Sequence, residues 1–204
     1  MIKAVLFDLD GVLVDTERWH YQALNKALAL FGYEISEAEH EQVYNGLPTR
    51  TKLEMLTEKV GFPSSLHSLI HSIKQNVTNH VIDEFCKADP VKVDMFKRLK
   101  AEGFKIGVCS NCIRKTLKQV LQRCQLIELC DVYLSNEDVE KPKPDPEIFL
   151  KAAVSLGVRP EACMILEDSF YGLKAARASG AVVVEVSSVS SVTYELVHLF
   201  LNHP

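Results

Sequence analysis

The N-terminal stretch AVLFDLDGVLVDTE, residues 4–17, runs from a continuous apolar segment directly into acids. Such an apolar run is typical of a strand that is buried on both faces of a parallel sheet. Asp8, Asp10 and Gly11 follow it at once. Because a buried carboxylate is costly unless charges or hydrogen bonds stabilise it, these acids have no place in a simple core strand. The stretch therefore predicts a central strand whose carboxyl end carries a polar site.

Four further apolar runs resemble this strand and alternate with helical segments. The predicted strands are residues 2–8, 104–109, 131–134, 162–166 and 181–186. The predicted helices between them are residues 92–102, 111–124, 146–156 and 170–179. For the third helix, Asp145 is the expected N-cap, with Pro146 at the first helical position and Gly157 just past the end. This alternation predicts an α/β fold with a doubly wound, Rossmann-like parallel sheet.

The interval between the first two predicted strands is far longer than one crossover helix requires. It contains helical patterns and no strand pattern. The predicted helices in this interval are residues 17–31, 37–45, 49–60 and 64–86. We expect residues 15–88 to form an inserted α-helical cap domain, and residues 1–14 and 89–204 to form the α/β core.

Composition excludes several classes of partner. The chain has 204 residues, of which 47% are hydrophobic and 25% charged, and its formal net charge is −4. A nucleic-acid or anionic-membrane binder requires a basic surface, so we expect neither partner. The first residues do not resemble a signal peptide, and no apolar run has the length to cross a bilayer. We expect a cytoplasmic monomer in which the six cysteines are reduced.

Polar residues follow the predicted strands at the point where each strand ends. Ser110 and Asn111 follow the second strand, and the run EKPKPDP, residues 140–146, follows the third. Glu167 and Asp168 follow the fourth. Because the carboxyl ends of parallel strands meet at one edge of a sheet, these groups should converge with Asp8. Carboxylates suit Mg²⁺, a carboxylate can attack phosphorus, and a lysine neutralises phosphoryl charge.

Four segments, FDLDGVLVDTE, CSN, KPKPDP and LEDS, resemble the four motifs of the haloacid dehalogenase superfamily in their order and spacing. The resemblance covers nearly the whole chain. It is closest to the branch with a helical cap inserted after the first motif, which holds beta-phosphoglucomutase-like and phosphoglycolate-phosphatase-like enzymes. This resemblance implies phosphoryl transfer with Mg²⁺ as cofactor and a small phosphorylated metabolite as substrate.

The resemblance also implies roles for the motif residues. Asp8 would be the nucleophile and Asp10 the general acid and base. Ser110 would be the phosphate-binding hydroxyl, and Lys141 would be the motif lysine, since it precedes the Pro-x-Pro-Asp run. The implied metal ligands are Asp8, Asp10 through its carbonyl, Asp168 and the adjacent Glu167. The implied substrate contacts are Leu9, Gly11, Thr16 and Asn111 in or beside the core, and His20, Gly46, Arg50 and Lys74 in the cap.

The cap loop departs from the branch pattern. Beta-phosphoglucomutase-like sequences carry an arginine three residues after the cap-loop glycine, whereas this chain has Thr49 there and Arg50 one residue later. The favoured function is a Mg²⁺-dependent phosphatase that acts through an aspartyl-phosphate. The first alternative is a beta-phosphoglucomutase-type phosphomutase. The second is a phosphoaspartate signalling receiver module, which would have neither the long insertion nor a residue in the role of Asp10.

Overall fold

The computed structural model describes residues 1–202 and has a five-stranded, all-parallel sheet with the strand order β3-β2-β1-β4-β5. The strands are β1 (Ala4–Phe7), β2 (Lys105–Cys109), β3 (Val132–Leu134), β4 (Cys163–Glu167) and β5 (Val182–Glu185). Four of them lie inside a predicted apolar run, β4 extends one residue beyond its run to Glu167, and helices cover both faces of the sheet. The prediction of a doubly wound, Rossmann-like α/β fold is confirmed.

The strand order bears on one of the alternative functions. Flavodoxin-like receiver modules have the order 2-1-3-4-5, in which the second strand lies at the edge. Here β1 lies at the centre, and β2 separates it from β3. The receiver interpretation is therefore wrong for this chain.

The helices follow the predicted order with shifted ends. They are α1 (Glu17–Ala29), α2 (Glu37–Glu39), α3 (Thr49–Val60), α4 (His67–Phe85), α5 (Pro90–Ala101), α6 (Arg114–Arg123), α7 (Glu147–Leu156), α8 (Phe170–Ala178) and α9 (Tyr194–Asn202). The predicted helix 37–45 is instead the short α2 followed by a π-helical turn over His40–Tyr44. Pro146 is the N-cap of α7 rather than its first residue. The sequence analysis did not predict α9.

The apolar core has one layer on each face of the sheet, because successive strand residues point to opposite faces. Val5 and Phe7 belong to the layer beneath α5, α6 and α9, where Phe7 stacks on Phe96 at a ring-centroid distance of 5.0 Å. Ala4 and Leu6 belong to the layer beneath α7 and α8. Burial on both faces explains why β1 reads as a continuous apolar run.

Five α-helices lie between β1 and β2, and the first four of them, α1 to α4, enclose an apolar core separate from that of the sheet. Leu24, Leu28, Leu53 and Ile70 are buried in this cluster. The helical content of the insertion agrees with the expected cap, whereas its boundaries, residues 15–88, stay a prediction. Within residues 1–202, no helix combines the length and hydropathy that crossing a bilayer requires.

Candidate active site

A pocket lies between the carboxyl edge of the sheet and the helices of the insertion. Its floor comes from loops that follow β1, β2, β3 and β4, and its roof comes from α1, α3 and α4. The titratable residues that line it are Asp8, Asp10, Glu17, His20, His40, Lys52, His71, Lys74, Lys143, Glu167 and Asp168. The parallel sheet thus brings together residues that are far apart in the sequence.

A buried lysine, Lys143, lies at the centre of the floor. Its Nζ donates to Oδ1 of Asp8 at 2.5 Å, to Oε1 of Glu167 at 2.6 Å and to the carbonyl of Cys109 at 2.9 Å. Burial alone would lower the pKa of Lys143, but the charges of Asp8 and Glu167 outweigh it and raise that pKa above its ordinary value. Lys143 is therefore a fixed ammonium ion that joins the ends of β1 and β4.

The structure corrects the assignment of the motif lysine. Lys141 is exposed, and its backbone N–H donates to Oε2 of Glu147 at 2.9 Å, away from the pocket. Asn111 holds Lys143 in place instead, because its Oδ1 accepts from the Lys143 N–H at 3.1 Å and its Nδ2 donates to the Lys143 carbonyl at 3.2 Å. The predicted placement of Lys141 in the site is wrong.

Three acids converge beside this lysine. Asp8, Glu167 and Asp168 each offer a carboxylate oxygen, and these oxygens lie within 4.8 Å of one another. Burial raises the pKa of Asp8 well above its ordinary value, and the Lys143 charge opposes that rise. Burial and the charges of Glu167 and Asp10 raise the pKa of Asp168 to about 7. One ammonium group does not balance the negative charge of these carboxylates. The floor therefore has an excess of negative charge that a bound cation would neutralise.

The fit to a divalent cation rests on Asp168. Its Oδ1 is buried and has no hydrogen-bond partner among the described residues. Gly11, with φ +87°, lies so close that an added Cβ would be 2.0 Å from Oδ2 of Asp168. An unpartnered, buried carboxylate oxygen beside two other acids is the donor set that Mg²⁺ prefers. The residues present therefore fit Mg²⁺.

Glu167 is fully buried, and hydrogen bonds engage both of its oxygens. Oε1 accepts from Lys143, while Oε2 accepts from the backbone N–H groups of Asp168 and Ser169 at 2.9 and 3.1 Å. Glu167 thus fixes the turn from β4 into α8 and with it the position of Asp168. Its side chain belongs to the acidic cluster, although both of its oxygens already accept hydrogen bonds.

Asp10 accepts hydrogen bonds from three side chains. Thr16 Oγ1 and His20 Nε2 donate to Oδ1, the latter at 3.0 Å, and Ser110 Oγ donates to Oδ2 at 3.0 Å. Burial raises the pKa of Asp10, but the attraction of His20 and these hydrogen bonds outweigh it and hold that pKa below its ordinary range. The hydroxyl of Ser110, predicted to bind phosphate, contacts Asp10 in this state of the protein.

His20 connects the floor to the roof of the pocket. Lys74 Nζ lies 3.1 Å from His20 Nδ1, and an ammonium group can only donate. Nδ1 is therefore the acceptor, and the imidazole proton is on Nε2, where it is donated to Asp10. Burial and the charge of Lys74 lower the pKa of His20, which agrees with a neutral ring.

The cap loop is closed against the core. Asn111 Nδ2 donates to the carbonyl of Gly46 at 2.8 Å, and an added Cβ on Gly46 would be 2.9 Å from Oγ of Ser169. The predicted helix 111–124 would begin at Asn111, yet α6 begins only at Arg114. Its side chain instead fastens the cap loop and Lys143 to the end of β2.

Two predicted substrate contacts lie elsewhere. The side chain of Leu9 is fully buried in the apolar core, so it cannot touch a ligand. The side chain of Arg50 is 84% exposed and pairs with Glu54 at 2.9 Å on the outer face of α3. The prediction that the Arg50 side chain contacts the substrate is wrong, whereas a substrate contact through the backbone of Leu9 stays a prediction.

Lys52 and His40 are among the cap residues that line the pocket and that the sequence analysis missed. Lys52 Nζ lies 3.3 Å from His40 Nε2, and both side chains are buried. Lys52 lies only two residues beyond Arg50, on the other side of α3. A helical wheel for α3 could have separated the two residues, although only the packed cap shows which side meets the core.

Comparison with known proteins identifies the family to which the chain is similar. The family model for haloacid dehalogenase-like hydrolases matches residues 5–186. A phosphorylated carbohydrates phosphatase of Thermotoga maritima is 30% identical over 179 residues, which is 88% of this chain and 82% of that protein.

Two solved structures are also similar. The crystal structure of beta-phosphoglucomutase from Clostridium difficile has a TM-score of 0.86 and 26% identity, and the match covers 100% of this chain and 98% of that one. CbbY from Rhodobacter sphaeroides, solved in complex with xylulose-(1,5)bisphosphate, has a TM-score of 0.81 and 25% identity, with 95% and 91% covered.

Proposed function

This chain belongs to the haloacid dehalogenase-like hydrolases and is a phosphatase, and on that premise we propose that it hydrolyses a small phosphorylated sugar with Mg²⁺ as cofactor. The observation that carries the proposal is the contact between Lys143 and Asp8, beside the unpartnered oxygen of Asp168. The names of the similar proteins, a phosphorylated carbohydrates phosphatase and a xylulose-bisphosphate complex, support a sugar phosphate as substrate.

Asp8 is the nucleophile in this proposal. Lys143 holds Oδ1 of Asp8, which leaves Oδ2 to attack phosphorus. A bond forms between Oδ2 and phosphorus as the ester oxygen leaves, which gives an aspartyl-phosphate. Because the fixed ammonium lies beside the reacting carboxylate, it stabilises charge on the phosphoryl oxygens without rearranging.

Asp10 moves the proton. The negative charge of a bound phosphoryl group would raise the pKa of Asp10, so that it takes up a proton and gives it to the leaving alkoxide in the first step. In the second step its carboxylate takes a proton from the attacking water. The water oxygen then displaces Asp8 from phosphorus and releases inorganic phosphate. Asp10 lies two residues after the nucleophile in the sequence. Hydrogen bonds from Thr16, His20 and Ser110 fix the orientation of its carboxylate.

Asp8 and Asp168, with the backbone carbonyl of Asp10, would hold the Mg²⁺ ion, while Glu167 keeps Asp168 and Lys143 in place. Bound Mg²⁺ would neutralise charge between the carboxylates and the phosphoryl oxygens. The closed cap loop, fastened through Asn111 and Gly46, excludes bulk water from the reacting atoms.

Phosphate release from a panel of sugar phosphates, measured with and without Mg²⁺, tests this function. Native protein should release phosphate only with Mg²⁺, and Asp8→Asn should release none. Phosphate release that is equal in the two proteins would rule out Asp8 as the nucleophile.

A phosphomutase is the second candidate. It is favoured by the similarity to beta-phosphoglucomutase over the full length of both chains and by the closed cap. Conversion of glucose 1-phosphate to glucose 6-phosphate without phosphate release would identify a mutase. Phosphate release without isomerisation would identify a phosphatase.

A further inference from the structure

Two buried cysteines lie against each other where the insertion returns to the core. Cys86 directly follows α4, and Cys124 directly follows α6. Their Sγ atoms are 3.5 Å apart, and each residue is only 4% exposed. Among residues 1–202, no other two thiols are in hydrogen-bonding contact. Because two sulfurs in contact need little movement to form a bond, this is the pair that oxidation would join.

The cysteine pair lies at one end of the interface between α4 and α6. Polar contacts between the two helices are spaced along this interface. They are Thr116 Oγ1 to Gln75 Oε1 at 3.2 Å, Gln119 Nε2 to the Asn79 carbonyl at 3.1 Å, and Arg123 to Asp83 at 3.3 Å. Gln75 lines the active-site pocket, and Cys86 lies about 16 Å further along the chain of α4, at a rise of about 1.5 Å per residue. The pair is therefore outside the pocket but connected to it through α4.

The polar groups of this interface are incompletely satisfied. Asn79 Oδ1 and Gln119 Oε1 are buried and have no hydrogen-bond partner among the described residues. A buried polar atom without a partner costs free energy, so these contacts favour closure of the cap only weakly. Weak closure suits a pocket that must admit substrate and release product. A covalent bond at the end of the interface would remove that freedom.

The surroundings make Cys86 the first of the two thiols to react. The hydrogen bond from Cys124 and the charge of Arg123 lower the pKa of the Cys86 thiol, although burial opposes them. That hydrogen bond and burial raise the pKa of Cys124. Because the thiolate is the nucleophile in thiol oxidation, Cys86 attacks an oxidant and Cys124 supplies the second sulfur.

We propose that Cys86 and Cys124 form a reversible redox site, in which a hydroperoxide joins them in a disulfide that holds the cap on the core. Residues 86–89 link α4 to α5, so movement of the insertion on the core must bend this link. The effect on turnover rests on the proposed phosphatase function. Substrate entry and product release need the cap to open, so the bond slows turnover without touching the reacting atoms.

The reaction takes two electrons from the two sulfurs. The Cys86 thiolate attacks one oxygen of the hydroperoxide and the O–O bond breaks, which gives a sulfenic acid on Cys86 and, from hydrogen peroxide, releases hydroxide. Cys124 then attacks the Cys86 sulfur, and the sulfenic hydroxyl leaves with the Cys124 proton as water. A dithiol reductant restores both thiols by thiol–disulfide exchange and is itself oxidised to a disulfide.

Peptide mapping tests the bond. Reduced native protein is treated with a slight excess of hydrogen peroxide, its remaining thiols are alkylated, and it is digested without reductant. Mass spectrometry should find the Cys86 peptide linked to the Cys124 peptide, and dithiothreitol should separate them. Cys130→Ser should form the same link, whereas Cys86→Ser should form none. Absence of this link in native protein, or linkage of other cysteines in its place, would overturn the proposal.

Hydrolysis of 4-nitrophenyl phosphate with Mg²⁺ tests the effect on turnover. We expect oxidation to lower kcat of native protein about fivefold or more, and dithiothreitol to restore it, because the cap no longer opens freely. Oxidised Cys86→Ser should keep the kcat of its reduced form. Equal losses in the two proteins would assign the effect to another thiol, such as Cys112 in the pocket. That result, or an unchanged kcat in fully linked native protein, would contradict the proposal.

A measurement without turnover separates this inference from the proposed function. Trp19 in α1 is the single tryptophan of the chain, and it packs, partly buried, against the core of the sheet. Acrylamide should quench its fluorescence less in oxidised than in reduced native protein, and equally in the two forms of Cys86→Ser. Equal quenching in both forms of native protein would show that the bond does not hold the cap. If reduced native protein hydrolyses no phosphate ester, the phosphatase proposal fails, and the mapping and the quenching still decide the disulfide and its effect on the cap.

Discussion

Lys143 Nζ lies 2.5 Å from Oδ1 of Asp8 and 2.6 Å from Oε1 of Glu167, so one buried cation joins the ends of two neighbouring strands. This relationship defines the floor of the site. It positions the nucleophile and leaves the charge of Asp168 unbalanced.

Replacing Lys143 should therefore affect both activity and stability. We expect Lys143→Met to lower kcat by about a hundredfold or more, as for loss of a fixed charge at the reacting group. The two carboxylates left unpaired should also lower the free energy of unfolding by about 3–5 kcal/mol. Steady-state kinetics and urea unfolding measure the two effects.

Lys141→Met is the matched control, since Lys141 is exposed in the same loop. It should change kcat less than about twofold, within the range of a neutral surface substitution. A large loss of kcat in Lys141→Met with little loss in Lys143→Met would restore the assignment made from the motif alone.

The glycine behind the nucleophile should control metal binding. In Gly11→Ala the new Cβ would be 2.0 Å from Oδ2 of Asp168, so Asp168 must leave its position. We expect the Mg²⁺ concentration for half-maximal activity to rise about tenfold or more, as for a disturbed metal-site partner. A Mg²⁺ titration followed by activity and by thermal shift measures this change.

Gly32→Ala is the control that separates the effect of backbone strain from the clash of a Gly11→Ala Cβ with Asp168. Gly32 has φ +76°, similar to Gly11, but nothing lies within 4 Å of an added Cβ. Gly32→Ala should lower stability and leave the Mg²⁺ requirement unchanged. If both variants shift that requirement equally, Gly11 does not act through Asp168.

Closure of the cap loop should depend on Gly46. An alanine there would place Cβ 2.9 Å from Oγ of Ser169, and the positive φ of 75° adds strain. We expect Gly46→Ala to lower kcat/KM by about tenfold or more, because the loop cannot close fully over the substrate. Gly61→Ala, with φ +68° and open space around its Cβ, should leave kcat/KM unchanged in the same assay.

The buried charge of Lys52 should cost stability in a pH-dependent way. Burial and the charge of Lys74 lower the pKa of Lys52 from 10.5 to about 7. Between these values the unfolded chain binds more protons than the folded one, so stability rises with pH across this window. At or below pH 7 the folded protein bears the full cost of the buried ammonium.

Lys52→Met should therefore be more stable than native protein at neutral pH when no ligand is bound. We expect a rise in Tm of at least about 2–4 °C at pH 7, the shift that corresponds to 1 kcal/mol in a chain of this size. The difference should shrink towards pH 10. Thermal unfolding from pH 6 to pH 10 checks this, and a lower Tm for Lys52→Met at pH 7 would contradict it.

Much of the fold follows from the sequence because parallel strands are covered on both faces. The apolar runs that contain β1 and β4 are therefore continuous, and the acids that end them stand out. Since a parallel sheet places its carboxyl ends at one edge, the grouping of Asp8 with Asp168 also follows from the sequence. The C-terminal helix α9 was missed because its apolar segment is short and no glycine marks its end, although Thr193 Oγ1 accepts from the Leu196 N–H at its start.

Other features depend on packing that no local pattern shows. Lys141 and Lys143 share one Lys-Pro-Lys-Pro run, and only the three-dimensional contacts, of the Lys143 backbone with Asn111 and of its Nζ with Asp8 and Glu167, show which of them enters the site. Arg50 and Lys52 lie on opposite sides of α3, and their roles depend on how the cap meets the core. Thr49, where the branch pattern has an arginine, indicates that the cap loop of this chain differs from that pattern. Which cap residues line the pocket is apparent only from the three-dimensional structure.

Trapping the phosphorylated enzyme tests the central claim most directly. Asp10→Asn protein, which lacks the base for hydrolysis of the aspartyl-phosphate, is mixed with Mg²⁺ and 4-nitrophenyl phosphate, whose leaving group needs no proton from Asp10, and is then quenched in acid. Mass spectrometry should find one added phosphoryl group on the peptide that contains Asp8, and none when Asp8→Asn is combined with it. An unmodified Asp8 peptide, together with phosphate release that persists in Asp8→Asn, would contradict the account.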